Sequence, residues 1–195
     1  MTIGLRCRCG KLRGELDATR IAARAICYCK DCQAFARFLK ADDVVLDTSG
    51  GTEVEAALPA ALRLSAGLEH LACMSLGPRG LYRWYASCCN TPIGNTPRDR
   101  KASYVGLVRL CLDATPAQLD RQLGRGHITS SRGSAHGPTT ATPLATALAV
   151  ARVGAMLAKA RLTGGYRDNP FFDASGAPVR APRVLTLEER SALTR

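Results

Sequence analysis

Nine cysteines constrain the fold of this 195-residue chain more than any other feature of its sequence. Seven of them fall into three tight clusters: Cys7 and Cys9, then Cys27, Cys29 and Cys32, and then Cys88 and Cys89. Cys73 and Cys111 stand alone. The chain starts without an apolar run of signal-peptide length, which predicts a cytoplasmic location in which thiols stay reduced. Clustered cysteines in such a chain favour metal binding over disulfides.

The central cluster places three thiols, Cys27, Cys29 and Cys32, within six residues. They can bind one ion only if the backbone turns sharply, and they stand where a predicted strand ends and a predicted helix begins. The N–H groups at a helix start stabilise thiolate charge. Thiolates select zinc over hard cations, and zinc takes four ligands. We therefore predict a zinc site with one open position, which is typical of catalytic zinc.

Other interpretations of this cluster stay open. A distant fourth cysteine, Cys73 or Cys111, would close the site and make its zinc structural, although both stand in apolar strand patterns where free core cysteines are common. An iron–sulfur cluster would also need a fourth thiolate. No histidine stands in a metal-ligand spacing: His70 opens a predicted strand, and His127 and His136 stand in a polar connection where we expect solvated side chains.

The two remaining pairs predict a second, structural site. Cys7 and Cys9 form a C-x-C-G turn, and Cys88 and Cys89 come directly before Asn90-Thr91-Pro92. Two pairs that are distant in sequence are what a structural tetrahedral zinc uses to join the ends of a sheet. Adjacent residues on a straight strand face opposite ways, so binding by both Cys88 and Cys89 requires a turn. The alternative is that one of them is a spare buried thiol.

Short strands with intervening turn signals predict a mainly β domain over residues 1–112, with antiparallel pairing. The predicted strands are 3–7, 11–16, 21–26, 44–47, 52–56, 61–65, 70–75, 81–85 and 103–110. A single helix is predicted at 33–40, directly after the central cysteine cluster.

Residues 113–195 predict a helical and extended appendage that packs on this core. Thr115 and Pro116 open a helix that runs to Leu123, a polar connection follows at 124–141, and a second helix covers 143–163. A short helix is predicted after Thr186. The second helix could pack on the core or pair with another chain, so a homodimer stays open. It carries Arg152, Lys159 and Arg161, which disfavours a membrane span.

Charge and missing motifs exclude several function classes. The net charge is +11, but it is spread along the chain without a block of like charges, which argues against nucleic-acid binding. A diffuse positive field still favours anionic ligands. The sequence contains no G-x-G-x-x-G, P-loop, G-x-S-x-G or H-E-x-x-H motif, which disfavours nucleotide-dependent, serine-hydrolase and zincin chemistry.

Three motifs in the right order resemble the glutathione-dependent formaldehyde-activating enzyme (Gfa) family, which includes centromere protein V. They are Cys7-x-Cys9-Gly10, Cys27-x-Cys29-x-x-Cys32 and Cys89-x-Thr91-Pro92-Ile93, and the resemblance covers residues 5–110. It implies a β-tent fold with two zinc ions, one catalytic on the central cluster and one structural on Cys7, Cys9 and Cys89. The chain departs from the family pattern at two positions. Tyr28 stands where the family usually has histidine, and Ala86 stands where it usually has a cysteine, which Cys88 would replace.

Two functions follow as hypotheses. The first is a carbon–sulfur lyase of the S-(hydroxymethyl)glutathione synthase type, in which zinc on Cys27, Cys29 and Cys32 activates a small thiol for addition to a small aldehyde. By the resemblance, the thiol would be glutathione and the aldehyde formaldehyde. The second is a non-catalytic binding module in which both zinc ions are structural and the basic surface contacts an anionic partner.

Overall fold

The computed structural model describes residues 1–123, 127–130 and 143–194, and within these ranges the chain is mainly β, as predicted. The strands are β1 (Thr2–Arg6), β2 (Arg13–Asp17), β3 (Ile21–Cys27), β4 (Thr52–Ala57), β5 (Leu62–Ala66), β6 (Leu71–Ser75), β7 (Tyr82–Ala86), β8 (Thr91–Thr96), β9 (Val105–Val108), β10 (His127–Ser130) and β11 (Arg183–Val184). The helices are α1 (Lys30–Phe38), α2 (Asp42–Val45), α3 (Pro116–Leu123), α4 (Pro143–Leu162) and α5 (Leu187–Leu193).

The described strands form two sheets. A small antiparallel sheet has the order β1-β2-β5. The larger sheet has the order β10-β3-β4-β9-β8-β7-β6-β11, in which the two edge strands β10 and β11 pair in parallel and the inner strands pair antiparallel. The predicted short antiparallel strands therefore make up the body of the fold.

The main core lies between the two sheets. Alternation buries Ile3 and Leu5 from β1, while β7 contributes Trp84. Phe171, which follows α4, stacks on Trp84 with ring centroids 4.9 Å apart. Both aromatic side chains are fully buried, so a residue of the C-terminal segment belongs to the core of the β domain.

The opposite face of the larger sheet is covered by helices. Phe35 and Leu39, which lie on or directly after α1, pack with Met74 of β6. Ala149 of α4 packs on Ala23 and Ala56.

Some predictions of local structure were wrong. Residues 44–47 were predicted as a strand, but Val44 and Val45 belong to the single turn of α2 and Leu46 forms only an isolated bridge with Thr52. Asp42 and Asp43 favour helix here because their negative charges lie at the positive end of the helix dipole. The strand β8 was missed because its sequence contains Pro92 and Gly94. Gly94 fits because a Cβ atom there would lie 3.0 Å from the carbonyl oxygen of Gly106 on the neighbouring strand.

The C-terminal helices agree with the prediction, since α3, α4 and α5 begin at Pro116, Pro143 and Leu187. Part of the predicted connection, residues 127–130, forms β10 instead. The other residues of that connection, 124–126 and 131–141, lie outside the described residues. None of the described helices combines the length and the hydropathy that a membrane span requires.

Candidate metal centres

The three-cysteine group lies at the junction between β3 and α1. Cys27 ends β3, Cys29 is the N-cap of α1, and Cys32 lies in the first turn of that helix. The Sγ atom of Cys29 accepts a hydrogen bond from the backbone N–H of Cys32 at 3.4 Å. This sulfur cap starts the helix three residues before the predicted position and brings the three thiols onto one side of a sharp turn.

The spacing of these thiols fits a metal ion. The Sγ atoms of Cys27 and Cys29 lie 3.2 Å apart, and all three Sγ atoms lie within 4.8 Å of one another. Zinc–sulfur bonds of about 2.3 Å in a tetrahedron place the sulfur atoms about 3.8 Å apart, so the group needs only a small adjustment. Among the described residues, no fourth cysteine, histidine or carboxylate joins this group.

The thiols also affect one another's ionisation. Hydrogen bonds from Cys27 and Cys32 lower the pKa of the Cys29 thiol to about 2. The same neighbours, together with burial, raise the pKa of Cys32, while the charge of Arg83 acts to lower it. Cys29 is therefore the thiol most disposed to ionise within the group.

Three side chains near this group carry no signal in the sequence. Thr52 of β4 pairs with Cys27 across the sheet, and its buried hydroxyl has no hydrogen-bond partner among the described residues. Tyr104 lies half-buried beside the start of β9, where burial and then the charges of Cys27 and Cys32 raise the pKa of its hydroxyl to about 12. The third is Arg83 of β7. These residues are distant from the cysteines in the sequence, and only the tertiary fold brings them together.

The two solitary cysteines lie elsewhere. Cys73 and Cys111 are both buried in the core between the sheets. Burial raises the pKa of Cys73 to about 12 and raises the pKa of Cys111 as well. Neither thiol joins the three-cysteine group. The structure therefore gives no support to the alternative in which one of them is its fourth ligand.

The second group brings together Cys7, Cys9, Cys88 and Cys89, whose Sγ atoms lie within 4.8 Å of one another. The Sγ atom of Cys88 lies 3.8 Å from that of Cys7 and 3.3 Å from that of Cys9. Cys88 and Cys89 are likewise 3.8 Å apart. Four sulfur atoms at these distances match a closed tetrahedral zinc site.

A turn allows both adjacent cysteines to face this group. It occupies residues 87–90 between β7 and β8, and Asn90 adopts a left-handed conformation with φ of 54°. Burial opposes ionisation of Cys89, but hydrogen bonds from Thr91 and then from Cys9 and Cys7 lower its pKa to about 6. Cys88 is thus brought into the group, whereas Ala86 stays in β7.

The histidines occupy other parts of the chain than the two cysteine groups. The Nε2 atom of His70 lies 3.5 Å from the carboxylate of Glu69, and His70 belongs to neither cysteine group. The backbone of His127 lies on β10, next to β3. His136 lies outside the described residues.

Similarity to known proteins identifies the family. A model described as a family of unknown function, DUF6151, matches residues 1–181. The chain belongs to this family. The match runs from β1 through α4 and includes Phe171, so the DUF6151 region contains both cysteine groups and the aromatic pair of the core.

Solved structures add little to this assignment. A crystal structure of a Rhodobacter sphaeroides protein, a structural-genomics target, is 20% identical and has a TM-score of 0.40. It covers 60% of this DUF6151 chain and 94% of its own chain. No curated protein matches.

Proposed function

We propose that this protein is a zinc-dependent enzyme that activates a small thiol for addition to a small aldehyde. The observation that carries the proposal is the difference between the two cysteine groups. The described residues supply four sulfur ligands to one group and three to the other. A metal ion with three protein ligands keeps a position for a substrate, whereas four protein ligands suit a structural ion.

The residues at the three-cysteine site would have two roles, as metal ligands and as hydrogen-bond donors to a bound ligand. Cys27, Cys29 and Cys32 would hold the ion, and when bound, zinc would supply a position at which a thiol stays deprotonated near neutral pH. The Thr52 hydroxyl, buried beside Cys27, is free to donate a hydrogen bond to a ligand. Tyr104 stays protonated near neutral pH and offers a second donor on the same side.

The reaction is a simple addition. A bond forms between the thiol sulfur and the carbonyl carbon, the carbonyl π bond breaks, and the proton released by the thiol ends on the former carbonyl oxygen. The product is a hemithioacetal, and no electrons are gained or lost overall. The order and spacing of the cysteine clusters, which resemble those of the Gfa family, support glutathione and formaldehyde as the first pair to test.

Tyr28 distinguishes this site from the pattern of that family. Its side chain is buried, and its hydroxyl lies 3.2 Å from the Oδ2 atom of Asp47. Tyr28, which replaces the histidine usual in Gfa proteins, is therefore hydrogen-bonded to the loop before β4. A substrate pocket of different shape would follow, so other small thiols and aldehydes belong in the same assay.

The test is the rate of hemithioacetal formation from glutathione and formaldehyde, measured beside the spontaneous reaction. The Cys29→Ser variant should lose thiol-dependent turnover because serine stays neutral near pH 7 and ligates zinc poorly. Cys73→Ala is the matched control, since it removes a thiol from the core and leaves both groups intact. If the wild-type protein with both metals bound matches the spontaneous rate for every thiol and aldehyde tried, this function is wrong.

A cleft of about 910 Å³ favours a second candidate function, binding of an anionic ligand by a non-catalytic module. Arg152 and Lys159 lie on one face of α4 and line this cleft together with Arg20, whose Nε atom lies 3.5 Å from Asp17 Oδ2. No carboxylate is among the described lining residues. Ile21 and Met156 make part of the lining apolar. An anion with an apolar chain fits these surroundings.

Titration calorimetry with decanoate tests this second candidate. The variant with both Arg152→Ala and Lys159→Ala should lose binding, while Arg161→Ala, on the same helix but outside the cleft, should keep it. Decyltrimethylammonium should not bind. Equal binding of both amphiphiles would show that the cations have no role.

A further inference from the structure

Arg83 is a buried cation on the helix-covered face of the larger sheet. Its residue is only 3% exposed. Its Nη1 atom donates a hydrogen bond to the Oδ1 atom of Asn95 at 3.0 Å, and its guanidinium lies 5.3 Å from the centroid of the Phe35 ring. Asn95 is itself 8% exposed. The guanidinium is therefore held in a fixed place, away from bulk water.

The charge of Arg83 has no carboxylate partner among the described residues. Asn95 and Phe35 are both neutral. A buried charge is costly unless an opposite charge lies nearby, and an amide or an aromatic ring compensates for only part of that cost. Some other source of negative charge is needed to explain why an arginine is buried here.

A source of negative charge lies at the N-terminus of the helix that carries Phe35, where the three-cysteine group begins α1. Phe35, which the guanidinium contacts, lies on α1 one turn after Cys32. The positive charge of Arg83 also acts on Cys29 and Cys32. Arg83 therefore packs against α1, the helix whose N-terminus carries these two cysteines.

We propose that Arg83 is a positioning residue of the three-cysteine site, whose guanidinium balances the charge of the thiolates and holds them in place for a metal ion. Three thiolates and one divalent cation leave a net charge of minus one, which a single guanidinium cancels. This inference rests on the proposed function only for the presence of a metal on Cys27, Cys29 and Cys32.

The test compares Arg83→Met with Arg83→Lys by competition for zinc against a chromogenic chelator. Arg83→Met removes the charge and keeps an apolar stem, so it should weaken zinc binding at the three-cysteine site by at least about tenfold, the effect typical of residues that support metal ligands. Arg83→Lys keeps the charge and should restore most of the affinity. The four-cysteine group serves as an internal control. Zinc released from this group is recognised because the corresponding phase of the chelator signal is absent in the Cys9→Ser variant.

Several results would overturn the proposal. Equal zinc affinity in wild type, Arg83→Met and Arg83→Lys would show that the charge does not act on the site. Equal weakening of both cysteine groups would show a general loss of structure. If Arg83→Met does not fold, Arg83→Gln, which retains a polar group for Asn95, replaces it with the same expected result.

These outcomes are separable from the proposed function. A wild-type protein that binds two zinc ions but catalyses no thiol addition would remove the enzyme hypothesis and leave the role of Arg83 intact. If turnover and zinc affinity are both unchanged in Arg83→Met, the proposed role of Arg83 is wrong and the enzyme hypothesis remains.

Discussion

The Sγ atoms of Cys9 and Cys88 lie 3.3 Å apart, although 79 residues separate them in the chain. This contact joins the hairpin of β1 and β2 to the turn between β7 and β8. A metal ion bound there would tie the small sheet to the large one, and its binding energy would become folding energy.

Cys9→Ser should therefore destabilise the protein far more than Cys29→Ser. Losing several kcal/mol of zinc-coupled folding energy corresponds to a fall of roughly 10 °C or more in the melting temperature of a chain of this size. Differential scanning calorimetry of both zinc-loaded variants measures the difference. Equal losses would indicate that both cysteine groups are structural.

Metal content should be about two zinc ions per chain, because the seven clustered cysteines form two groups. Cys88→Ser should lower this value to about one by removing a sulfur from the four-cysteine group, while Cys73→Ala should leave it at two. Elemental analysis after gentle purification gives the ratio. A wild-type value of one would disprove one of the proposed sites.

How much of the site is predictable from sequence depends on how local its contacts are. Cys27, Cys29 and Cys32 meet because a single turn between a strand and a helix brings them together, and their spacing alone indicates this. The four-cysteine group required a turn at Cys88 and Cys89, which the Asn-Thr-Pro run suggested and the left-handed Asn90 provides. Thr52 carries no local signal, because only strand pairing places it opposite Cys27. Arg83 carries none either, because it lies on β7 and reaches the helix of the cysteines only through its contact with Phe35.

The missed features of the fold have a similar cause. Proline and glycine in β8 contradict local strand propensity, and only the close approach of Gly106 explains why Gly94 belongs in the sheet. The insertion of Phe171 beside Trp84 could not be predicted either. A domain boundary after residue 112 therefore stays a prediction, while the aromatic stack joins residues from both sides of it.

Phe171→Ala should lower the free energy of unfolding by about 3–5 kcal/mol, the usual cost of removing a fully buried phenylalanine. Leu162→Ala is a suitable control, since Leu162 at the end of α4 is 87% exposed and its loss should be nearly neutral. Urea unfolding compares the two. A neutral Phe171→Ala would mean that the C-terminal segment adds little to the core.

Glu55 should make stability depend on pH. Burial raises its pKa from 4.5 to about 7, against the opposing charges of Arg109 and Arg24. The folded protein then holds a proton that the unfolded chain has released, so its contribution to stability is complete below pH 4.5 and is lost as the pH rises toward 7. The loss is roughly 3 kcal/mol.

Glu55→Gln should remove this part of the pH dependence and make the protein more stable than wild type above pH 7. The surrounding charges then balance, because Arg24 and Arg109 pair with Glu53 and Asp120. Glu15→Gln, at an exposed position on β2, is the matched control. Urea unfolding at pH 5.5 and pH 8 gives the comparison, and identical pH profiles for wild type and Glu55→Gln would contradict the assignment.

The optical spectrum of the cobalt-substituted protein during titration with a small thiol tests directly whether the three-cysteine site has an open position. We expect the wild-type spectrum to change as the thiol binds at this site, and we expect no such change in Cys29→Ser. A wild-type spectrum that does not respond to the thiol, with cobalt bound at both cysteine groups, would contradict an open site and leave both metals structural.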